Sequence, residues 1–427
     1  MDIWSLSFYM DKLYIKGGNS LFGSCKIACA KNAYLPILAG AILCDGKVTL
    51  KNYPKFLDII NMTNILENLG AKAKLENKNL VLDMTSLNNY EIPHELATLT
   101  RSSIFSLGAI LGRFKKAKVA YPGGCEIGTR PIDLHLKGLE SLGVKVIDRR
   151  GYITCDGQNM RGGVVNLDFP SVGATENIMM AGATAKGTTK IINCAKEPEI
   201  IDLQDFLNRA GAKITGAGTS VITIQGVQKL HSVEYTPISD RIITGTYLLA
   251  CAICGGEIEL TNANIEHLDA LISKLANNNC RFWIKKGKII MQSSKKHKAI
   301  SKIETMPYPG FPTDLQPQIV AMLATAKGTS LVVENLFETR YKYVNELYKM
   351  GSDIIIKDRS AIIRGVPKLF GASVNSTDLR GGAGLVLAGL MADGFTTIGN
   401  VQQIDRGYLN IEQDLSKLGA EIKRIHV

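Results

Sequence analysis

The chain has 427 residues, past the ~250–300 at which a single hydrophobic core stops growing, so two lobes are expected. Hydrophobic residues at 45% and charged residues at 21% are ordinary globular values and exclude disorder as a global description. The longest apolar stretch, around residues 242–258, is interrupted by Gly245, Gly255, Gly256 and Glu257 and is too short for a membrane span.

Fifty Lys+Arg against 39 Asp+Glu leave a net charge of +11. The resulting field favours anions: nucleotides, phosphorylated metabolites or nucleic acid. The lysine pairs 115–116, 285–286 and 295–296 read as solvated basic surface. The N-terminus, MDIWSLSFYMDK, has an acid at position 2 and no basic n-region. With nine cysteines, an odd number, this predicts a cytoplasmic protein with reduced thiols. Cys251 and Cys254 form a CxxC inside an apolar helical run. No second CxxC and no nearby histidine accompany it, so these are expected to be core residues, and no metal site is predicted.

In chain order, one supersecondary unit is written six times. An apolar helix (LPILAGAIL) opens at Lys31 and Asn32, a strand begins at Gly46, and a second helix turns at Gly70 into ENLGAKAKL. The next helix (IFSLGAILG) opens at residues 100–103, and its strand begins at Ala117. A glycine-rich insertion over residues 122–131 follows, then the amphipathic helix DLHLKGLESLG, which turns at Gly143. The third unit opens at Ser171 (NIMMAGATA), with a strand at Gly187 and a helix LQDFLNRAG turning at Gly211. After a break near residues 236–239, the fourth opens at residues 239–241 (TGTYLLACA), with a strand at Gly256 and a turn at Asn279. The fifth opens at Thr313 and Asp314 (QIVAMLATA), with Gly328 and Gly351. The sixth opens at Thr377 and Asp378 (GLVLAGLMA), with Gly394 and Gly419.

The turn pivots are spaced 73, 68, 68, 72 and 68 residues and the strand openings 71, 70, 69, 72 and 66. Both give one period of about 70 residues. The pivots require positive φ, which glycine adopts freely and asparagine tolerates best among the rest. The first helix of each unit is apolar nearly all round, as a fully buried helix must be, and the second is amphipathic. Two similar α/β lobes of three units each follow, residues 31–238 in one and residues 1–30 with 239–427 in the other.

What recurs in all six units is scaffold, and what appears once is a candidate for chemistry. Helix N-termini carry partial positive charge and free N–H groups, so lobes facing each other end-on would form an anion-binding cleft. The insertion of unit two is a loop by composition, with Cys125 at its tip and Arg130 at its base, where the nearby guanidinium favours thiolate. Arg130, Arg340 and Arg406 occupy matching positions in units two, five and six. Arg101 and Arg380 are placed at buried-helix N-termini. Five arginines at such positions suggest binding of more than one anionic group, and Lys31 adds a sixth cation.

At this point the sequence resembles the UDP-N-acetylglucosamine 1-carboxyvinyltransferase family of enolpyruvyl transferases. The residues that carry the resemblance are KNAYLPILAGAIL, PGGCEIGTRPIDLHLKGLESLG, PSVGATENIMMAG, DRIITGT, GFPTDLQPQ, FETRY, DLRGGAGLVLAG and IDRGY, in the family's order over residues 12–427. The resemblance implies the two-lobed inside-out α/β barrel of the enolpyruvyl transferase fold, with six βαβαββ-type repeats, three per lobe, joined by a double-stranded hinge. It implies transfer of the enolpyruvyl group of phosphoenolpyruvate to the 3-hydroxyl of UDP-N-acetylglucosamine with release of phosphate, the first committed step of peptidoglycan synthesis. No cofactor and no metal are implied, and neither a nucleic acid nor a membrane is an expected partner.

By the same resemblance Cys125 is the general acid at the methylene carbon and the target of fosfomycin. Lys31, Arg130 and Arg406 hold phosphoenolpyruvate, and Arg340, Asp378 and Arg380 line the same cleft. Asp314 binds and deprotonates the sugar hydroxyl. Asn32, Arg101, the run Arg130, Pro131, Ile132, Asp133 and Leu134, the run Ser171, Val172 and Gly173, and Leu336 are implied sugar-nucleotide contacts. Protonating an enol ether creates an oxocarbenium-like centre, so an acid, a base and cations on the leaving phosphate suit the reaction. Phe169 and Pro170 stand where some members have a lysine, and residues 381–384 are richer in glycine than the usual small-residue run. The runner-up, the shikimate 3-phosphate enzyme of the same fold, should carry Ser-Lys-Ser at the first buried helix and no loop cysteine. A basic repeat scaffold for nucleic acid would explain the charge but not Asp314 or Asp378.

Overall fold

The computed structural model describes residues 11–123 and 131–426. Six four-stranded sheets carry the six repeats. The second is representative: Glu91–Ile92, Lys116–Ala120, Tyr152–Asp156 and Lys145–Arg149 lie side by side in that order. The first pair is parallel, with Glu91 opposite Lys118, and the other two pairs are antiparallel. A parallel pair needs a crossover, and in repeats two, three, five and six the apolar helix supplies it.

The apolar helices, one per repeat, are α1 (Lys31–Ala41), α2 (Ser106–Phe114), α3 (Val172–Gly182), α4 (Arg241–Cys254), α5 (Gln316–Leu323) and α6 (Leu379–Met391). All residues of α4 are buried, as are all but one of α1, as expected for helices without a polar face. Among the described residues, no helix is long and apolar enough to cross a membrane. The eight described cysteines are all buried. Burial pushes the Cys251 and Cys254 thiols up to about 12, which keeps them protonated and unreactive.

All six turn pivots have positive φ, from +65° at Asn279 to +106° at Gly211. The strand openings follow the same rule at Gly46, Gly187, Gly256, Gly328 and Gly394. In unit two the left-handed residue is Lys115, the C-cap of α2, which leaves Ala117 inside the strand.

The described chain divides into two compact units, residues 11–27 with 241–426 and residues 28–123 with 131–240. Ala28, Cys29, Ala30, Ser239 and Asp240, assigned by sequence to the other lobe, belong to the middle unit. There Cys29 bridges Ser239 in antiparallel fashion, Ala30 N–H donates to the Ile238 carbonyl at 2.7 Å, and Asp240 N–H donates to the Ala28 carbonyl at 2.9 Å. Backbone pairing between the two crossings fixes the boundary.

Sequence order does not give the sheet membership of two strands. Leu21–Lys26 runs directly into the α1 segment, yet it pairs in parallel with Gly256–Thr261, the strand after α4. Val233–Tyr235 precedes α4, yet it pairs in parallel with Lys47–Leu50, the strand after α1. Repeats one and four have exchanged their opening strands. Lys12–Lys16 fills the sixth sheet between Phe395–Gly399 and Glu421–Ile425.

Within the unit containing both termini, α4, α5 and α6 pack pairwise against one another. The glycine run of α6 is explained by close approach. A Cβ on Gly384 would lie 2.9 Å from the Pro317 carbonyl of α5, and one on Gly381 would lie 2.5 Å from the Asp378 carboxylate.

Candidate active site

In the unit formed by residues 11–27 and 241–426, Asp314 is the hub. Its Oδ1 accepts from Arg340 Nη2 at 3.1 Å and its Oδ2 from Arg380 Nη2 at 2.9 Å. Both guanidiniums are buried, while the Asp314 side chain remains 24% exposed. A carboxylate shared by two guanidiniums is held in one orientation. Asp314 lies on a 3₁₀ turn, Thr313–Leu315, ahead of α5 rather than on the helix itself.

Asp378 is the N-cap of α6. Its Oδ1 accepts from the N–H groups of Arg380 and Gly381 at 3.0 and 3.1 Å, which fixes the turn that carries Arg380. The Arg380 guanidinium lies 5.4 Å from the Tyr408 ring, and Arg406 is half-buried two residues before that tyrosine. The Tyr408 ring therefore borders the Asp314 cluster.

Glu334 escaped the sequence reading. It is fully buried at the end of Thr329–Val333, where its Oε1 accepts from Thr305 Oγ1 and from the N–H groups of Leu336 and Phe337. Its Oε2 accepts from Thr313 Oγ1 at 2.9 Å. One carboxylate thus fixes both the Leu336 loop and the residue beside Asp314. An acid next to an apolar strand was its only signal.

In the middle unit, Lys31 opens α1. Its Nζ meets Asp58 Oδ2 at 2.9 Å and its backbone N–H donates to Asp240 Oδ2 at 3.2 Å. The Lys31 and Asp58 side chains are both almost wholly buried, so the ammonium has its counterion inside the protein. Asp58, in the first turn of Leu57–Asn68, is a second residue that sequence did not mark. Asn32, beside Lys31, is half-buried.

The remaining residues of this unit gather around His135. Asn177 Nδ2 donates to His135 Nδ1 at 2.7 Å and to the Ile104 carbonyl at 2.9 Å, while its Oδ1 accepts from Gly108 N–H at 2.7 Å. An accepting Nδ1 places the ring proton on Nε2. Burial first, then the Arg101 charge, lowers the imidazole to about 4, so the ring is neutral. A Cβ on Gly173 would lie 2.8 Å from the His135 ring and 3.0 Å from Phe105. Arg101 opens the 3₁₀ turn Arg101–Phe105, capped by Thr100, and not α2 as predicted, because that turn separates it from the helix. Ser171 caps α3, with its Oγ accepting from Ala174 N–H at 3.3 Å. Val172 and Gly173 follow in its first turn.

Ile132 and Leu134 face inward to different degrees ahead of His135, whereas Pro131 and Asp133 are exposed. Phe169 is exposed, and its neighbour Asp168 pairs with Lys137. Cys125 and Arg130 lie outside the described residues. Among the described residues, no three His, Cys, Asp or Glu side chains gather as a metal ion requires.

The chain matches the EPSP synthase (3-phosphoshikimate 1-carboxyvinyltransferase) family over residues 15–415. It is 51% identical to UDP-N-acetylglucosamine 1-carboxyvinyltransferase 2 of Caldanaerobacter subterraneus subsp. tengcongensis, covering 97% of this chain and 100% of that one. The chain belongs to the UDP-N-acetylglucosamine 1-carboxyvinyltransferase family of enolpyruvyl transferases. A member from Desulfosudis oleivorans is 45% identical over the same shares of both chains. In structure, the chain is similar to the enolpyruvyl transferase NikO from Streptomyces tendae, with TM-score 0.87 and 23% identity over 98% of this chain and 100% of that one. EPSP synthase from Acinetobacter baumannii matches with TM-score 0.72 and 17% identity over 97% and 100%. These two likenesses establish the enolpyruvyl transferase fold, the inside-out α/β barrel of six repeats.

Proposed function

We propose that this family member transfers the enolpyruvyl group of phosphoenolpyruvate to the 3-hydroxyl of UDP-N-acetylglucosamine, in the cytoplasm, as part of peptidoglycan precursor synthesis. The observation that carries the reading is the Asp314, Arg340 and Arg380 cluster, in a chain 51% identical end to end to an enzyme of that name.

The addition step forms a bond from the sugar oxygen to C2 of phosphoenolpyruvate. Asp314 takes the hydroxyl proton while Cys125 gives a proton to C3. Elimination then removes phosphate from C2 and a proton from C3, which restores the enol ether. Both Asp314 oxygens accept from guanidiniums, which aims the carboxylate. Lys31, Arg130 and Arg406 take the phosphoenolpyruvate charges. Asn32, Arg101, Ser171, Val172, Gly173, Leu336 and the run from Pro131 to Leu134 hold the sugar nucleotide.

The shikimate reading has the family description in its favour, but the relatives at 45–51% identity are named for the UDP-sugar. Phosphate release discriminates. Release from phosphoenolpyruvate with UDP-N-acetylglucosamine and not with shikimate 3-phosphate is expected, and the reverse pattern overturns the assignment.

A further inference from the structure

The net charge is not spread evenly. Residues 270–303 contain nine cations (Lys274, Arg281, Lys285, Lys286, Lys288, Lys295, Lys296, Lys298 and Lys302) and no Asp or Glu, against +11 for the whole chain. Most of them lie on or beside the fourth sheet, whose order is Cys280–Lys285, Lys288–Ser293, Gly256–Thr261, Leu21–Lys26. Cys280–Lys285 is an edge of that sheet. Among the described residues, no backbone hydrogen bond from outside the sheet reaches 281–285.

The edge strand is also unusually apolar. Trp283 is 50% exposed and Ile284 54% exposed. The pairing register places Arg281, Trp283 and Lys285 together on the outer face, opposite Gln292, Ile290 and Lys288 of the next strand. Lys288 is matched by Glu259 at 2.6 Å. Among the described residues, Arg281, Lys285 and Lys286 have no ion-pair partner. Lysine on an open edge is a common device against aggregation. A gatekeeper strand, however, does not also expose a tryptophan and an isoleucine at its centre.

We infer that the edge strand Cys280–Lys285 is a docking surface for an extended, acidic polypeptide segment of a partner protein, which adds to the sheet as a fifth strand. Its backbone pairs with the free edge. Acidic side chains oppose Arg281 and Lys285, and an apolar one covers Trp283 between them, because cross-strand neighbours share a face. The positions facing the other way are apolar and cover Ile284. A second copy of this chain is disfavoured, since two such edges would set like charges opposite each other. A lipid surface fits less well, because an open strand edge carried into hydrocarbon leaves its N–H and C=O groups without partners. Single-stranded nucleic acid would use the cations and the tryptophan but not the backbone edge.

The test uses the full chain and a fluorescein-labelled peptide containing EVLVE between glycine-serine flanks. Fluorescence anisotropy should report saturable, salt-sensitive binding that weakens by about tenfold or more in Trp283→Ala and in Arg281→Glu/Lys285→Glu, as for truncation of an interface hot spot. Phosphate release with the proposed substrates should be unchanged in both variants, which separates this surface from the proposed site. Hydrogen exchange should slow at residues 280–285 on peptide addition. A peptide of the same sequence with alternate backbone nitrogens methylated should not bind. Equal binding of the methylated peptide or by the variants would overturn the proposal. So would tighter binding of phosphatidylglycerol vesicles or oligothymidylate than of the peptide.

Discussion

His135 gives the strongest quantitative handle on the middle unit. Its imidazole is lowered from 6.5 to about 4, chiefly by burial. A group whose neutral form is favoured in the fold contributes stability that is fully present above pH 6.5. That contribution is lost as pH falls towards 4. A shift of this size corresponds to about 3 kcal/mol in full, of which roughly 2–3 kcal/mol is lost between pH 7 and pH 4.5. Asp202 pulls the other way. Burial raises it to about 7, against hydrogen bonds from Tyr235 and the Ile238 N–H, so its ionised form is penalised in the fold and stability falls as pH rises from 4 to 7. A raw pH profile mixes the two, and the difference between wild type and His135→Gln removes Asp202. Glutamine can still accept from Asn177 but does not titrate. Urea unfolding at pH 7 and pH 4.5 should show wild type losing about 2 kcal/mol more than the variant. The imidazole proton resonances of His135 should titrate near pH 4. Titration near 6.5, or equal losses in the two proteins, would refute the tautomer and burial argument.

Asp58→Ala removes the counterion of a buried ammonium and should destabilise the chain by about 3–5 kcal/mol in urea unfolding, and Asp58→Ala/Lys31→Met should recover part of it. Glu334→Gln keeps the shape of a residue that holds the Leu336 loop and Thr313 but weakens charge-assisted bonds. KM for UDP-N-acetylglucosamine should rise about tenfold with a smaller change in kcat, and an unchanged KM would remove its positioning role. Cys125→Ala should lower turnover by about 10²–10⁴ in phosphate release, whereas Cys125→Asp, another acid of similar reach, should retain it; a near-normal alanine variant would show that the proton comes from elsewhere.

The repeat was legible because it rests on backbone constraint. A left-handed residue must end each second helix, so Gly70, Gly143, Gly211, Asn279, Gly351 and Gly419 mark the period whatever surrounds them. The buried helices were legible because nothing polar interrupts their faces. Arg340, Arg380 and Asp314 could be singled out by position, but no sequence rule says that one carboxylate bridges both guanidiniums. Asp58 and Glu334 look like surface acids, because burial of a charge is decided by a partner 21–27 residues away. The 3₁₀ turns before α2 and α5 were also missed. They shift Arg101 and Asp314 off the helix starts, a local geometry that hydrophobic pattern does not encode.

The exchanged strands show why sequence order misleads at long range. Leu21 pairs with Gly256 although Lys31 and its helix come next in the chain. Closing a loop of that length costs only about 1 kcal/mol more than closing one repeat, because closure entropy grows with the logarithm of loop length. Six paired residues and their packing outweigh that difference, so nothing in thermodynamics forces neighbouring segments into one sheet. The exchange has a consequence for the site. Both chain crossings end at the first turn of α1, where Ala30 bonds to Ile238 and the Lys31 N–H donates to Asp240. The cation that opens the first buried helix is thus held by Asp58 through its side chain and by the crossing segment through its backbone.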